Sequence, residues 1–303
     1  MAVIRVENLR KTYGSLAAVD DISFAVEAGE IFGMVGPNGA GKTTTIECCE
    51  GLRQQNSGQV AVLGLDPQKA GNALRERIGI QLQESALPAR IQVGEALDLF
   101  ASFYRRSPDW KILLDRLGLA EKRNTAFANL SGGQKQRLYI ALALVNDPEL
   151  VFLDELTTGL DPQARHAMWD LVREIRTQGK TVCLTTHFME EAEQLCDRVA
   201  IIDHGRIVAL DTPGALIRSL GAENQVLFTV DRPLDTAKLQ AVRGVTRAEQ
   251  IGERVRVYGK GDTLVGDVVN TLTAAGISFR DLRTEQPTLE DVFLALTGRE
   301  MRE

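Results

Sequence analysis

The sequence predicts an α/β protein built around a parallel sheet, with a helical insertion and a smaller α+β domain at its C-terminal end. Three observations predict it. The apolar run IFGMVG (31–36) opens directly into a glycine-rich loop and then a helical stretch, KTTTIECCEGL. The apolar strands ELVFLDE, TVCLTT and RVAIID return later, separated by helical segments. Beyond residue 222 six short elements follow in the order β-α-β-β-α-β, the split-βαβ arrangement of ferredoxin-like domains.

In chain order, VIRVEN and ISFAVE alternate apolar and polar residues, as half-exposed strands do. IFGMVG is apolar throughout, as a strand buried on both faces is. QVAVLG and RIGIQLQ are two more short strands. From 90 to 145 the pattern is helical, through VGEALDLFASFYRR, WKILLDRLGL and GGQKQRLYIALALV. The strands at ELVFLDE, TVCLTT and RVAIID alternate with helical QARHAMWDLVREIRTQG and FMEEAEQLC, the pattern of a parallel sheet. DHGRIVAL reads as a turn and an edge strand. QVLFTV, DTAKLQAV, VTRAEQI, RVRVYG, TLVGDVVNTLTAAG and SFRDLRTE supply the β-α-β-β-α-β unit, and TLEDVFLALTG a last helix. The expected domains are 1–221 and 222–303.

A length of 303 residues is comfortable for two domains, and 44% hydrophobic with 25% charged residues is an ordinary globular composition. The net charge of −6 argues against a nucleic-acid partner, whose phosphates favour a basic excess. Cys48, Cys49, Cys183 and Cys196 form no C-x-x-C pair and read as reduced thiols. No apolar run approaches the ~18 residues of a membrane span, and the N-terminus lacks the pattern of a secretory signal. A cytoplasmic location is expected, and any work on a membrane needs a second chain to cross it.

Gly36, Gly41, Lys42 and Thr43 fit G-x-x-x-x-G-K-[ST], the phosphate-binding loop, with Pro37, Asn38, Gly39, Ala40 and Thr44 completing it. Inward N–H groups and the positive start of the following helix favour an anion. The glycines are expected to keep Cβ atoms out of that anion's approach. Lys42 is expected on the β- and γ-phosphates and Thr43 on Mg²⁺. The strand LVFLDE (150–155) ends in Asp154, suited to Mg²⁺, and Glu155, suited to orienting or deprotonating a water. Acids at a strand end also serve as simple caps. In LSGGQKQR (130–137), Ser131 is a good N-cap. Gly132 and Gly133, followed by Gln134, leave bare N–H groups at a second helix start. A second anion-binding helix start makes sense if it meets the nucleotide of another copy.

These motifs, in this order over residues 3 to about 220, resemble the ATP-binding subunits of ABC transporters, whose signature sequence is LSGGQ. The resemblance implies a phosphate-loop NTPase cassette: a RecA-like core with antiparallel β and helical subdomains. It implies ATP and Mg²⁺, a homodimer of cassettes, and a membrane permease on a separate chain. It also implies that Tyr13 in KTYG stacks on adenine. Gln83 in IGIQLQ reaches Mg²⁺ and the attacking water, Asp161 in GLDP belongs to the inter-subunit loop, and His187 in TTHFMEEAE contacts the γ-phosphate. One departure is Leu156, where the family usually has proline; it is expected to loosen the loop from Glu155 to Asp161 while removing no catalytic group. The ending QPTLEDVFLALTGRE is similar to the tails of daunorubicin-resistance-type exporters, which implies export from the cytoplasmic face of a membrane.

Two other readings are weaker. An ABC ATPase acting on ribosomes or DNA normally carries two cassettes or a long coiled coil, and neither pattern is present. A kinase or GTPase would have no use for LSGGQ and lacks N-K-x-D. The resemblance implies that cargo contacts lie in the membrane subunit, so this sequence does not name the cargo.

Overall fold

The structure is a computed structural model. It describes residues 1–82, 86–219, 224–231, 234, 236–261, 263–285 and 287–298.

Strands β1 (Ala2–Tyr13) and β2 (Leu16–Glu27) pair antiparallel. Each is twice as long as its alternating stretch. Register shifts, one of them around Asn8 at φ 49°, reset which residues face inward, so no single period spans either strand. Strand β3 (Ile31–Val35) is buried at every position, and helix α1 (Lys42–Glu50) follows its loop. Strand β4 (Ser57–Val62) joins β1 to complete a three-stranded sheet in the order β2-β1-β4. A one-turn helix α2 (Gly71–Arg75), too short to show a period, leads into β5 (Ile78–Gln81).

The helical insertion is α3 (Val93–Ala101), α4 (Trp110–Arg116) and α5 (Gly132–Leu144). The Trp110 indole N–H donates to Asp98 at 2.8 Å and ties α4 to α3. The chain then alternates through β6 (Leu150–Asp154), α6 (Pro162–Thr177), β7 (Thr181–Thr186), α7 (Met189–Leu195), β8 (Arg198–Asp203) and β9 (Arg206–Asp211). The six-stranded sheet has the order β5-β6-β7-β3-β8-β9, parallel except for β9, which returns antiparallel along β8. β3, β6 and β7 are wholly buried, as their uninterrupted apolar character requires. Phe32, Met34 and Phe152 from this sheet share one core with Ile4, Val6 and Leu9 of β1 and Ile46 of α1. Each fully buried side chain of that size contributes roughly 2–3 kcal/mol. All four cysteines are buried and free.

Helix α8 (Pro213–Ser219) precedes β10 (Asn224–Val230), α9 (Thr236–Gln240), β11 (Val245–Ile251), β12 (Arg254–Gly259), α10 (Leu264–Ala274), β13 (Phe279–Glu285) and α11 (Leu289–Thr297). Strands β10 to β13 form a four-stranded sheet, order β11-β12-β10-β13, with every neighbour antiparallel. That is the order a split-βαβ unit requires. Val226, Phe228, Val255 and Val257 point to one face and share a core with Leu239 of α9 and Val268 and Leu272 of α10. By its contacts the chain divides into Met1–Pro213, with the stretch from Leu296, and Gly214–Ala295. The boundary expected at 222 lies outside the described residues. Among the described residues no helix is long and apolar enough to cross a membrane.

Candidate nucleotide site

The sheet register assembles the site. β6 pairs with β7 through Asp154↔Thr185, and β3 pairs with β7 through Val35↔Thr186. The glycine loop after Val35, the Asp154–Glu155 pair and His187 therefore leave the same edge of three adjacent parallel strands. Their carboxyl ends are where such sheets present ligands with functional groups.

Gly41 caps α1 at φ 104°, a left-handed conformation that suits glycine. The fold supplies its own reason for two of the glycines. A Cβ on Gly36 would lie 2.1 Å from the Ile202 carbonyl oxygen, and one on Gly41 2.3 Å from that of Ala18. The protein's own β8 and β2 backbones leave no room for side chains there. Gly39, at φ 78°, faces open space. Ala40 is buried, Pro37 half-buried and Asn38 exposed, while Thr43 and Thr44 are half-buried in the first turn of α1.

Lys42 is 4% exposed. Its ammonium donates to the Gly36 and Pro37 carbonyls at 2.7 and 3.1 Å and lies 4.0 Å from Glu155 Oε1. Burial pulls its pKa below the ordinary lysine value, and Glu155 and Asp154 pull it back up. Thr43 Oγ1 donates to Asp154 Oδ1 at 3.4 Å, and the Thr185 hydroxyl donates to the same carboxylate oxygen. Burial lifts the Asp154 carboxyl above its usual range, and these two hydroxyls offset part of that.

Glu155 sits at φ 49°, a left-handed conformation uncommon for a residue with a side chain. Its backbone N–H donates to the Thr185 carbonyl at 3.1 Å, and Thr158 Oγ1 donates to Oε2 at 3.3 Å. His187 Nδ1 is 3.4 Å from the same Oε2. Glu155 is thus bracketed by an ammonium, a hydroxyl and an imidazole. The sequence did not point to Thr158 or Thr185; strand pairing places Thr185, and the turn after Glu155 places Thr158.

A family model described as ABC transporter matches residues 19–158. The Nod factor export ATP-binding protein I of Ralstonia nicotianae is 39% identical over 99% of this chain and 95% of that protein. The Burkholderia lata protein of the same name is 39% identical over 100% of this chain and 99% of its own length. The chain belongs to the ABC transporter family. Its ABC fold is matched by a solved ATP-binding subunit of an ABC transporter with a TM-score of 0.66 and 29% identity, covering 72% of this chain and 93% of that one. A bacterial ABC transporter cassette solved as a dimer matches with a TM-score of 0.60 and 26% identity, over 69% of this chain and 98% of that one. As an ABC ATPase the chain binds and hydrolyses ATP.

In this ABC cassette Ser131 caps α5. Its hydroxyl accepts from the Gln134 N–H at 3.3 Å, and its own N–H donates to Gln134 Oε1 at 3.0 Å. Ser131 and Gly132 are exposed. A Cβ on Gly132 would first meet Leu160 at 4.0 Å, and one on Gly133 would first meet Ala164 at 3.8 Å, which is ordinary contact. Among the described residues no packing contact requires either glycine. Asp161 caps α6 next to Pro162 and accepts from the Ala164 N–H at 2.8 Å. The signature helix and the Asp161 turn are therefore neighbours.

Tyr13 ends β1, is 43% exposed, and has Lys11 Nζ at 5.3 Å and the Arg53 guanidinium at 5.4 Å from its ring. Leu156 is buried, and turn bonds run from Thr158 N to Glu155 O and from Leu160 N to Thr157 O in the segment after it. Gln83 lies outside the described residues.

Proposed function

We propose that this ATPase is the nucleotide-binding subunit of an exporter, driving transport through a separate membrane-spanning permease as a pair of cassettes. The observation that carries the reading is the convergence of Lys42, Thr43, Asp154, Glu155 and His187 at one sheet edge. The name of the relatives, Nod factor export ATP-binding protein I, supports the export direction.

In this reading the N–H groups of Gly36 to Thr44 and the start of α1 hold the phosphates, and Lys42 neutralises the β- and γ-oxygens. Tyr13 offers the half-exposed ring on which adenine stacks. The Thr43 hydroxyl and Asp154 carboxylate, 3.4 Å apart, are the hard oxygen donors Mg²⁺ prefers, and Gln83 completes the set. When bound, Mg²⁺ neutralises charge on the phosphates. Glu155 accepts the proton of the attacking water, and His187, against the same carboxylate, holds the γ-phosphate end of the site. Ser131, Gly132, Gly133 and Gln134, beside Asp161, meet the nucleotide held by the second cassette. ATP then bridges two helix starts, and hydrolysis weakens the bridge. A groove lined by Phe100, Tyr104, Ile80 and the exposed Phe103 is an apolar seat for the permease. The location is accordingly the cytoplasmic face of the membrane, with no nucleic acid involved.

Co-purification tests the whole reading: the tagged chain should retain one integral membrane protein and show ATPase activity with it. Retention of ribosomes or DNA instead would overturn it.

Two substitutions test the parts. Lys42→Ala is expected to weaken ATP binding at least tenfold in a fluorescence titration with a nucleotide analogue; unchanged affinity would remove Lys42 from the phosphates. Gly133→Ala has room in the fold, and alanine is a better helix residue than glycine, so the thermal midpoint should hold or rise. The ATPase rate should nevertheless fall at least tenfold, because a methyl would intrude on the face offered to the second cassette. A wild-type rate would mean that nothing docks on that face.

A further inference from the structure

The C-terminal unit has a second face. α9 and α10 pack on one side of its sheet, and the other side carries the exposed Ile251, Arg254 and Arg256. Strand pairing gives the rows on that side. One row is Glu249–Arg256–Leu227–Arg283 and the next carries Ile251–Arg254–Thr229. Asp281, at φ 55° beside a register shift in β13, lines the same groove. The groove has a volume of about 540 Å³, the size of a small-molecule site.

Three guanidiniums surround an apolar floor. Leu227 lies between Arg256 and Arg283 across the strands, and Arg254 follows two residues from Arg256 on the same face. Ile251 is 79% exposed, a large apolar side chain left in water. Two nearby carboxylates, Glu249 and Glu285, are each paired with an arginine and also lie close enough to act on Arg256. Glu249 pairs with Arg247 at 3.3 Å and Glu285 with Arg283 at 3.5 Å. Among the described residues Arg254 has no carboxylate partner, and the Arg256 guanidinium hydrogen-bonds only to the Tyr258 hydroxyl, at 3.5 Å. Two adjacent guanidiniums with unclaimed donors beside an exposed isoleucine are complementary to a molecule that is anionic at one end and apolar along its body.

We propose that this groove binds a small organic anion, a carboxylate or phosphate carried on an aliphatic body. Arg254 and Arg256 take the anionic head, and Leu227 and Ile251 take the body. A nucleic acid fits the face poorly. Tyr258, in the row beside Arg256 on the same face, already has the Arg247 guanidinium 4.0 Å over its ring. The acids Glu249, Asp281 and Glu285 around the rim leave space for one anionic head on Arg254 and Arg256 but disfavour a chain of phosphates laid across the face.

The test is calorimetric titration of the full chain with monomeric dodecyl phosphate, below its micelle concentration. Saturable binding at one site is expected. The double variant Arg254→Gln/Arg256→Gln and the single variant Ile251→Ser should each bind at least tenfold more weakly, while both keep wild-type affinity for a nucleotide analogue. Inorganic phosphate and dodecanol should likewise bind at least tenfold more weakly than dodecyl phosphate, since each supplies only half the match. Absence of binding to the wild type, equal affinity in the double variant, inorganic phosphate binding as tightly, or tighter binding of a single-stranded oligonucleotide would each overturn the assignment.

Discussion

Glu155→Gln is expected to abolish turnover while leaving nucleotide binding intact. The substitution keeps the shape of the side chain and removes its capacity to take a proton. General-base assistance contributes on the order of 10²–10⁴-fold, and the phosphate-release rate should fall by that range. Binding should survive because the groups proposed to hold the phosphates are elsewhere. Lys42 Nζ stays anchored on Gly36 and Pro37, and the loop backbone does not depend on the Glu155 charge. Removing that charge also takes a negative group from within 4.0 Å of Lys42 and 3.4 Å of His187, which favours retention of the anionic nucleotide. With ATP bound and unspent, the paired state should accumulate on a sizing column in ATP and Mg²⁺. A variant that hydrolyses ATP at close to the wild-type rate would show that another group activates the water, and the bracketing of Glu155 would then be structural.

The second large effect is on stability. Glu50, in the last turn of α1, is 1% exposed, and among the described residues neither carboxylate oxygen has a hydrogen-bond partner. Burial, with added repulsion from Asp154 and Glu47, pushes its pKa up to about 8 from an ordinary 4.5. The folded pKa of this acid lies above the unfolded one, so the group destabilises the native state wherever the unfolded chain would ionise it. The cost is absent below pH 4.5, grows by about 1.4 kcal/mol per pH unit, and levels off above pH 8. At pH 7 it amounts to roughly 3 kcal/mol. Glu50→Gln keeps the shape without that cost. Its denaturation midpoint should match the wild type near pH 4.5 and exceed it by a margin that widens up to pH 8. An offset that does not change with pH would show that Glu50 is not held neutral in the folded chain.

The parts of the fold legible in the sequence are those whose cause is local. The run from β3 through the glycine loop to α1 could be read because period, composition and turn chemistry all change within twenty residues. The β-α-β-β-α-β order of the C-terminal unit could be read for the same reason, from short alternating stretches parted by glycine and polar turns. The lengths of β1 and β2 could not, because bulges interrupt their alternation. Nor could the reason for Gly36 and Gly41. The carbonyls that exclude their side chains belong to Ile202 and Ala18, far along the chain, and nothing near the loop announces them.

By itself the sequence determined which chemical groups this ATPase carries and where most of the core strands and helices run, since each depends on neighbours a few bonds away. Only the tertiary structure decided that Glu155 meets both Lys42 and His187, that Thr185 backs Asp154, that Glu50 is sealed from water, and that three arginines surround Leu227. These are distances between residues tens to more than a hundred positions apart. They are set by the register of paired strands, which no local pattern encodes.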